Sequence, residues 1–527
     1  MRPRLDYLSP LPPVRSGISD YSVDLLPPLA AELDLRVIRL PGLPIDPEIA
    51  ARYRPVPAGE TGRDGRLPLY HMGNNHYHAA IAELALERPG VMVLHDLVLH
   101  HFLLDRTVGR GEFEPYRAEL ERDHGWIGDA AARPVRWGAF GRAAQFALPA
   151  HRTLLRRQRG VLVHGLWAAN LLAEEDPELA VRRVPMGIPL PPPASRALGL
   201  AFRGARGIPA DAPLIGSFGF QTPIKRTEVA IRALAAPGLE RVRLLIAGEL
   251  SPYANYEALA GELGVGDRVH VTGFLPFGEL DAAIAATDLC LNLRYPTAGE
   301  TSASLLRILA VGRPVLVSQY AELGDLPADL ATPIPLGDGE HEALVAALAE
   351  LLLGAPEALA RRGERARRHV EREHAPERAA RSIAAAVEEL AALAPPGDSP
   401  AVAPPRSSAV QPRLPGRIEV AGLDGWRPGE RATLAVRATN SGRCRWLASH
   451  ELSGGVIFEV QLFVDGENRF RGRPWLSLPA ALEPGESRDF ELVLRRPLGR
   501  ARLLIKPMVQ VGEGHRPLGD WAWDRWL

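Results

Sequence analysis

The sequence predicts an α/β protein made of two doubly wound halves, followed by an all-β sandwich. Three observations carry this. Short apolar runs alternate with Ala- and Leu-rich helical patterns from residue 4 to residue 163, as in a parallel sheet covered by helices. The same alternation restarts after the proline run 191–193 and continues to residue 318. Beyond residue 415 the apolar period falls to two, with Gly, Pro, Asn and Asp between the runs.

At 527 residues the chain is too long for one core. Its formal net charge is −1, so no bulk field recommends a nucleic acid as partner. The two cysteines, Cys290 and Cys444, fall in different predicted domains, which excludes a disulfide framework and a cysteine metal cluster. The opening MRPRLDYLSPLPP lacks the apolar core of a signal peptide and no run reaches membrane-spanning length, so a cytoplasmic protein is expected. Of the 62 basic residues only Lys225 and Lys506 are lysine. In an arginine background a retained lysine raises the question of a need for a compact ammonium.

In the first half, residues 4–9, 35–40, 67–72, 91–94 and 160–163 read as buried strands, with helices over 21–33 and 78–86. Residues 103–150 break the rhythm as a long, Arg-rich helical insertion. In the second half the strands are 214–218, 243–247, 269–272, 289–293 and 315–318, followed by one long helical stretch over 361–393. Two such halves on either side of a proline hinge place a ligand cleft between the carboxyl ends of their sheets. Residues 394–415, rich in Pro, Ser and Ala, read as a linker. The last part holds strands at 417–420, 431–438, 456–464, 487–494 and 501–509, and six of the nine tryptophans. Trp521 and Trp523 would share one strand face; they offer a sugar-stacking platform, against the commoner fate of a tryptophan inside a sandwich core.

The chemistry is expected at loops on the carboxyl edges. TAGETSASLLRILAVGRPVLVS, from Thr297, reads as a small-residue turn, a helix capped by Thr301 or Ser302, a stop at Gly312 and a buried strand. Amides opening such a helix suit a phosphate, although an ordinary βα connection has the same pattern. Lys225 and Arg226 open a helix after another strand of the same edge, where two cations would complement a diphosphate; a solvated surface pair is the alternative. Arg15–Tyr21 offers a second backbone nest, and the stretch from His71 through Asn74 and Asn75 to His78 gathers hydrogen-bonding groups suited to hydroxyls. His95 and Asp96 end a strand, with His100 and His101 beyond. These histidines lack an HExxH pattern and cysteine or carboxylate partners at metal spacing, which argues against zinc. There is no Walker A sequence, no GxSxG elbow and no GxGxxG fingerprint.

Taken as a set, LPPVRSGISDYS, MGNN…H, VLHDLVLHH, VPMGIP, FGFQTPIKR and TAGETSASLLRILAVGRPVLVS resemble the retaining, nucleotide-sugar-dependent glycosyltransferases of family 4. The resemblance covers roughly residues 1–393 and implies the GT-B fold, two facing Rossmann-like domains: 1–193 on the acceptor side and 194–393 holding the nucleotide sugar. It implies that His95, Lys225 and Glu300 line the reaction centre. Gly17, Arg226, Thr301, Ser302, Ala303 and Ser304 would meet the donor phosphates and sugar, while Asn74, Asn75 and Asp96 face the acceptor. A helix after Pro376 would cross back to the first domain. The implied substrates are a nucleoside-diphosphate sugar and a glycan or lipid-linked acceptor, with no cofactor or metal and with peripheral membrane contact left open.

Two departures stand out. Phe220 follows Gly219 where the family has an arginine, and its E-x7-E pair falls on Gly299 and Arg307, with Glu300 displaced by one place. The second glutamate of that pair typically meets the nucleotide ribose, so the base is left undetermined. A nucleotide-sugar epimerase on the same scaffold, or a non-catalytic glycan-binding or assembly protein, are the rival readings. The tail, 416–527, with ATNSGRCRW and LPAALEPGES, resembles Ig-like sandwich modules of polysaccharide-assembly proteins.

Overall fold

The computed structural model describes residues 3–527 except 140, 142, 192–195, 325, 328, 355, 394–407, 409–413, 452, 466, 469–474, 512, 513 and 520. Most of the expected linker and two of the three hinge prolines lie outside the described residues. In the first domain β1 (Arg4–Leu8), β2 (Asp34–Arg39), β3 (Val56–Pro57), β4 (Leu67–Met72), β5 (Val91–Leu94), β6 (Gly160–Val163) and β7 (Val181–Arg183) form one parallel sheet in the order β3-β2-β1-β4-β5-β6-β7. In the second, β8 (Leu214–Phe218), β9 (Arg243–Ala247), β10 (Val269–Gly273), β11 (Leu289–Asn292), β12 (Val315–Ser318) and β13 (Ala331–Ile334) pair in parallel as β10-β9-β8-β11-β12-β13. Both orders reverse direction beside the first strand of the sheet, at β1/β4 and β8/β11. Crevices at the carboxyl ends of such switch points are where ligands sit in open α/β sheets.

The central strands are buried on both faces, which is why they read as continuous apolar runs. The edge strands β3, β7 and β13 are short and carry Pro, Arg or Thr, so their sequences do not announce them.

The long helix expected over 361–393 is two helices, Pro356–Glu373 and Pro376–Ala391. Pro376 sets the break: Ala375 before it is extended, with φ −61° and ψ 138°, and the ring occupies the first position of the new helix. The break lets the chain cross. Ile188 N–H donates to His374 O at 2.8 Å, and His374 Nδ1 lies 2.9 Å from Met186 O. The second helix then packs on Gly17–Glu32, with Ile383, Val387 and Leu390 in one core with Leu25, Leu29 and Val93. The segment 194–393 thus includes a helix that rests on the first domain, as the resemblance implies.

Residues 103–150 hold the helices Phe113–Val135, bent at Gly125, and Ala144–Ala147, around a small core of Leu103, Tyr116, Leu120, Ile127 and Leu148.

The C-terminal part is a sandwich of antiparallel sheets. One is β14 (Gly416–Ala421), β15 (Arg431–Asn440) and β19 (Ser487–Arg495). The other is built on β16 (Ser453–Val464) and β20 (Ala501–Val511), with β17 (Glu467–Asn468), β18 (Trp475–Ser477), β21 (Gly514–Pro517) and β22 (Trp523–Trp526) at its margins. Alternate residues Leu434, Val436 and Ala438 of β15 face Val456, Phe458, Leu503 and Ile505 of the other sheet.

The tryptophans divide. Trp446 is fully buried, and Trp521 stacks on it at 5.8 Å while its Nε1 donates to Leu414 O at 2.7 Å. Trp521 therefore precedes β22 rather than sharing a strand face with Trp523. Trp526, half exposed under Arg500, is the outward-facing one. The sandwich rests on the first domain through Trp126, which packs against its core, and through an Arg445–Glu174 ion pair at 3.0 Å. Among the described residues no single helix is long and apolar enough to cross a membrane.

Candidate active site

The second domain supplies two loops. After β8 the chain turns at Gly219, whose φ of +89° favours glycine, and Gly219 N–H donates to Ala247 O at 2.9 Å. Gln221 pins the turn from inside, donating from Nε2 to Gly219 O at 2.9 Å and accepting from Thr227 Oγ1 at 2.9 Å. Lys225 ends a short 3-10 turn and folds back so that its ammonium donates to Phe218 O. Burial, with Arg294 nearby, lowers its pKa to about 7, partly offset by Glu300.

The other loop follows β11. Ser302 caps the helix Ala303–Val311 by accepting from Leu305 N at 3.2 Å, and Gly312 closes it in the left-handed conformation at φ 84°. Ser302→Ala should cost about 1 kcal/mol, read as a lower urea midpoint with unchanged slope. Glu300 shapes the loop before it: one carboxylate oxygen is ion-paired with Arg294, and the other accepts from Thr297 Oγ1 at 2.8 Å and Ala298 N at 3.0 Å. Arg294 also reaches Ser302 Oγ at 3.1 Å.

These two loops converge. A Cβ built on Gly219 would lie 3.0 Å from Lys225 Nζ and 3.8 Å from Ser304 Cβ. An anion seated above Gly219 would meet the ammonium from one side and the first helical turn from the other.

Arg226 departs from expectation. It adopts φ 52° just before the helix Thr227–Leu234, and its guanidinium is held by the buried carboxylate of Glu340. Lys225 and Arg226 therefore do not form a paired cationic clamp. Thr301 is likewise turned aside, its hydroxyl donating to Glu322 Oε1 at 2.7 Å.

On the facing edge, Ser16 caps the helix Gly17–Glu32 by accepting from Ser19 N at 3.1 Å, and the space where a Cβ of Gly17 would stand is open. Arg15 reaches across to the Phe274 ring at 5.9 Å. The side chains of Asn74 and Asn75 tie their own loop: Asn74 Oδ1 accepts from Phe102 N at 2.9 Å and its Nδ2 lies 3.0 Å from His101, while Asn75 Oδ1 accepts from Tyr77 N at 3.1 Å.

His95 lies under the surface, 6% exposed. Its Nε2 is 3.0 Å from His71 Nδ1, and Tyr21 and His164 pack on its ring at 5.0 and 5.2 Å. Burial pulls the pKa values of His71, His95 and His164 down, so the cluster is uncharged near neutrality. Among the described residues no set of three His, Cys, Asp or Glu side chains could hold a metal ion. Asp96, next along the chain, is partly exposed, and its Oδ2 accepts from Asn74 N at 2.8 Å.

The domains meet directly beside the Glu300 loop. Val98 N–H donates to Ala298 O at 2.8 Å, and Gly299, at φ 75°, is covered by Leu97 and the Trp167 ring. The two positions of the E-x7-E pattern are thus accounted for. At 299 a side chain would collide with Leu97. At 307 the arginine is clamped by Asp281 at 2.7 and 2.9 Å and lies over the Phe277 ring at 4.3 Å. Arg307 also faces Asp20 and Asp24 of the first domain, lowering their pKa values against the larger upward effect of burial. Sequence reading missed Arg294, Glu322 and Asp281. Arg294 had a usable signal, a cation at the end of a buried strand on the binding edge.

Two Rossmann-like domains that meet at the carboxyl edges of their sheets, with a cation and a helix N-terminus converging on the second domain's edge, fit the GT-B architecture. Residues 201–369 match the family model "Glycosyl transferases group 1". Sucrose-phosphate synthase from Thermosynechococcus elongatus superposes with a TM-score of 0.50 at 16% identity, covering 74% of this chain and 99% of its own. HepE of Anabaena, solved in complex with UDP, does so with a TM-score of 0.50 at 15% identity, covering 74% and 100%. At such identities the likeness is one of fold. No curated protein sequence matches the chain.

Proposed function

We propose that the protein transfers a sugar from a nucleoside-diphosphate donor to a hydroxyl acceptor with retention of anomeric configuration. The observation that carries this is the convergence of Lys225 Nζ and the start of the helix Ala303–Val311 above Gly219, at the switch point of the second sheet and facing the first domain. It lies inside the segment matched by the glycosyl transferase model, and UDP is bound by the similarly folded HepE. In the proposed reaction the bond from the anomeric carbon to the diphosphate breaks, and Lys225 with the amides of Ala303 and Ser304 meets the charge that develops on the leaving group. Glu300 acts by shaping the loop through Arg294. Gly17 opens the facing helix toward the donor, and the Asn74–Asn75 loop frames the acceptor side. No metal is assigned a role; a glycan or lipid-linked acceptor and a cytoplasmic location remain part of the proposal.

Calorimetry with UDP, GDP and ADP tests it. One of the three should bind, and titrating its nucleotide sugar without acceptor should give only slow release of the diphosphate. Binding of none would favour the second reading, a non-catalytic glycan-binding or assembly protein, which draws its support from the filled position at Gly299. Rapid change of the sugar without release would favour an epimerase.

A further inference from the structure

One element of the first domain reaches the loop before Ala303 from two sides: the start of the helix Leu166–Glu175, with Gly165 as its N-cap. The place that a side chain at 165 would need is taken by a carboxylate of the other domain. A Cβ built on Gly165 would overlap the carboxylate of Glu322, which follows β12. Negative charge is favoured at that end of a helix. Two residues on, the Trp167 ring covers Gly299. Glu322 is half-buried, and its Oε1 accepts from Thr301 Oγ1 at 2.7 Å. The helix start therefore meets the loop on either side of Glu300, through Trp167 at 299 and through Glu322 at 301.

The backbone points the same way. Ala321 holds φ 49°, a left-handed conformation that a residue with a Cβ seldom adopts. Such strain persists where the surroundings fix it, and it gathers at functional sites. Here it immediately precedes Glu322, and the buried Leu323 anchors the turn on the other side. Outside the seam the β-sandwich braces the same two elements. Arg445 pairs with Glu174 of the helix at 3.0 Å, and Glu451 faces Tyr320.

We propose that Glu322 is a positioning residue for the donor: it makes the arrangement of residues 299–304 depend on how the first domain is seated. The inference rests on the transferase reading and deepens it. With the helix start seated on Glu322, the carboxylate holds Thr301, and the amides of Ala303 and Ser304 stay in line with Lys225. With the carboxylate lost or pushed aside, Thr301 is released and the turn before Ala303 shifts, while Gly219 and Lys225 keep their places. Glu322 itself touches neither donor nor acceptor. Turnover, which depends on fine alignment, should therefore suffer more than binding.

Two variants attack the contact from opposite sides. Glu322→Ala removes the carboxylate; Gly165→Ala, at φ −102° and ψ 148° where alanine is unstrained, displaces it. In the double variant the vacated space takes the new methyl group. UDP-glucose, GDP-mannose and ADP-glucose serve as donor probes, with water as acceptor and release of the diphosphate as the readout. Each single variant should lower release at saturating donor about 10-fold, with UDP, GDP or ADP bound within about threefold of the parent. The double variant should be no slower than Glu322→Ala, because both changes remove one contact. Hydrogen exchange over residues 297–305 should rise in both single variants, with little shift in melting temperature. Parental turnover in Glu322→Ala, losses that multiply in the double variant, or binding that falls in step with rate overturns the proposal. A parent that binds no nucleoside diphosphate removes the transferase reading instead. The tie is then judged on exchange: a rise in both variants upholds it, and unchanged exchange overturns it.

Discussion

Lys225→Ala is expected to lower turnover about 10²- to 10³-fold, the range for removing one preorganised group that meets transition-state charge. The ammonium has no carboxylate partner within its own loop. It is held by a carbonyl oxygen, that of Phe218, in surroundings that disfavour its charge. The stability consequence has a definite sign. The folded-state pKa, about 7, lies below the unfolded value of about 10.4, so the unfolded chain binds more protons between these pH values. This group's contribution to stability therefore rises with pH across that window and is least favourable below about 7. Removing it should leave the melting temperature at pH 6.5 unchanged or slightly higher, and should flatten the rise toward pH 10. Thermal melts at pH 6.5, 8.5 and 10 alongside steady-state rates separate this from a folding defect. Turnover unaltered by the substitution would remove Lys225 from the site.

Gly299→Glu is expected to abolish most activity, by about 100-fold or more, although it restores the residue that the E-x7-E pattern asks for. Glycine here adopts φ 75°, and any Cβ would collide with Leu97 and approach the Trp167 ring to 3.2 Å. Both neighbours belong to the first domain, so the collision acts on the seam and not on the core of either sheet. Holding the seam open also separates Val98 from Ala298, bonded at 2.8 Å, and moves Asp96 away from Arg294. Misplacement of facing groups by about 1 Å can cost 10²-fold in rate. Small-angle scattering should report a larger radius of gyration with little change in melting. A variant with parental turnover would show that closure at Gly299 is not needed for the reaction.

Much of the fold was legible because its signals are local. Buried strands such as residues 91–94 and 160–163 announce themselves by composition, and Ser302 and Gly312 mark the helix that the site is built on. The unread parts depend on partners far away in sequence. Arg226 looks like a second phosphate cation until Glu340, 114 residues on, claims it. The histidine-rich edge looks like a reaction centre, yet packing of Tyr21, His71 and His164 around His95 leaves the neighbouring Asp96 as the group facing the seam. The break at Pro376 was readable from the residue itself, whereas the direction of the following helix depended on the apolar face of Gly17–Glu32. Departures at 299 and 307 gain a physical account only when the second domain is seen against Leu97, Asp20 and Asp24.

The central claim is that a diphosphate is held between the Lys225 ammonium and the first turn of the helix Ala303–Val311. A crystal structure of the complex with whichever of UDP, GDP or ADP binds in calorimetry tests it most directly. The account predicts a phosphate oxygen within hydrogen-bond distance of Lys225 Nζ and another at the amides of Ala303 or Ser304. A nucleotide bound with its phosphates away from Gly219, and with Lys225 still turned to Phe218 O, would contradict it.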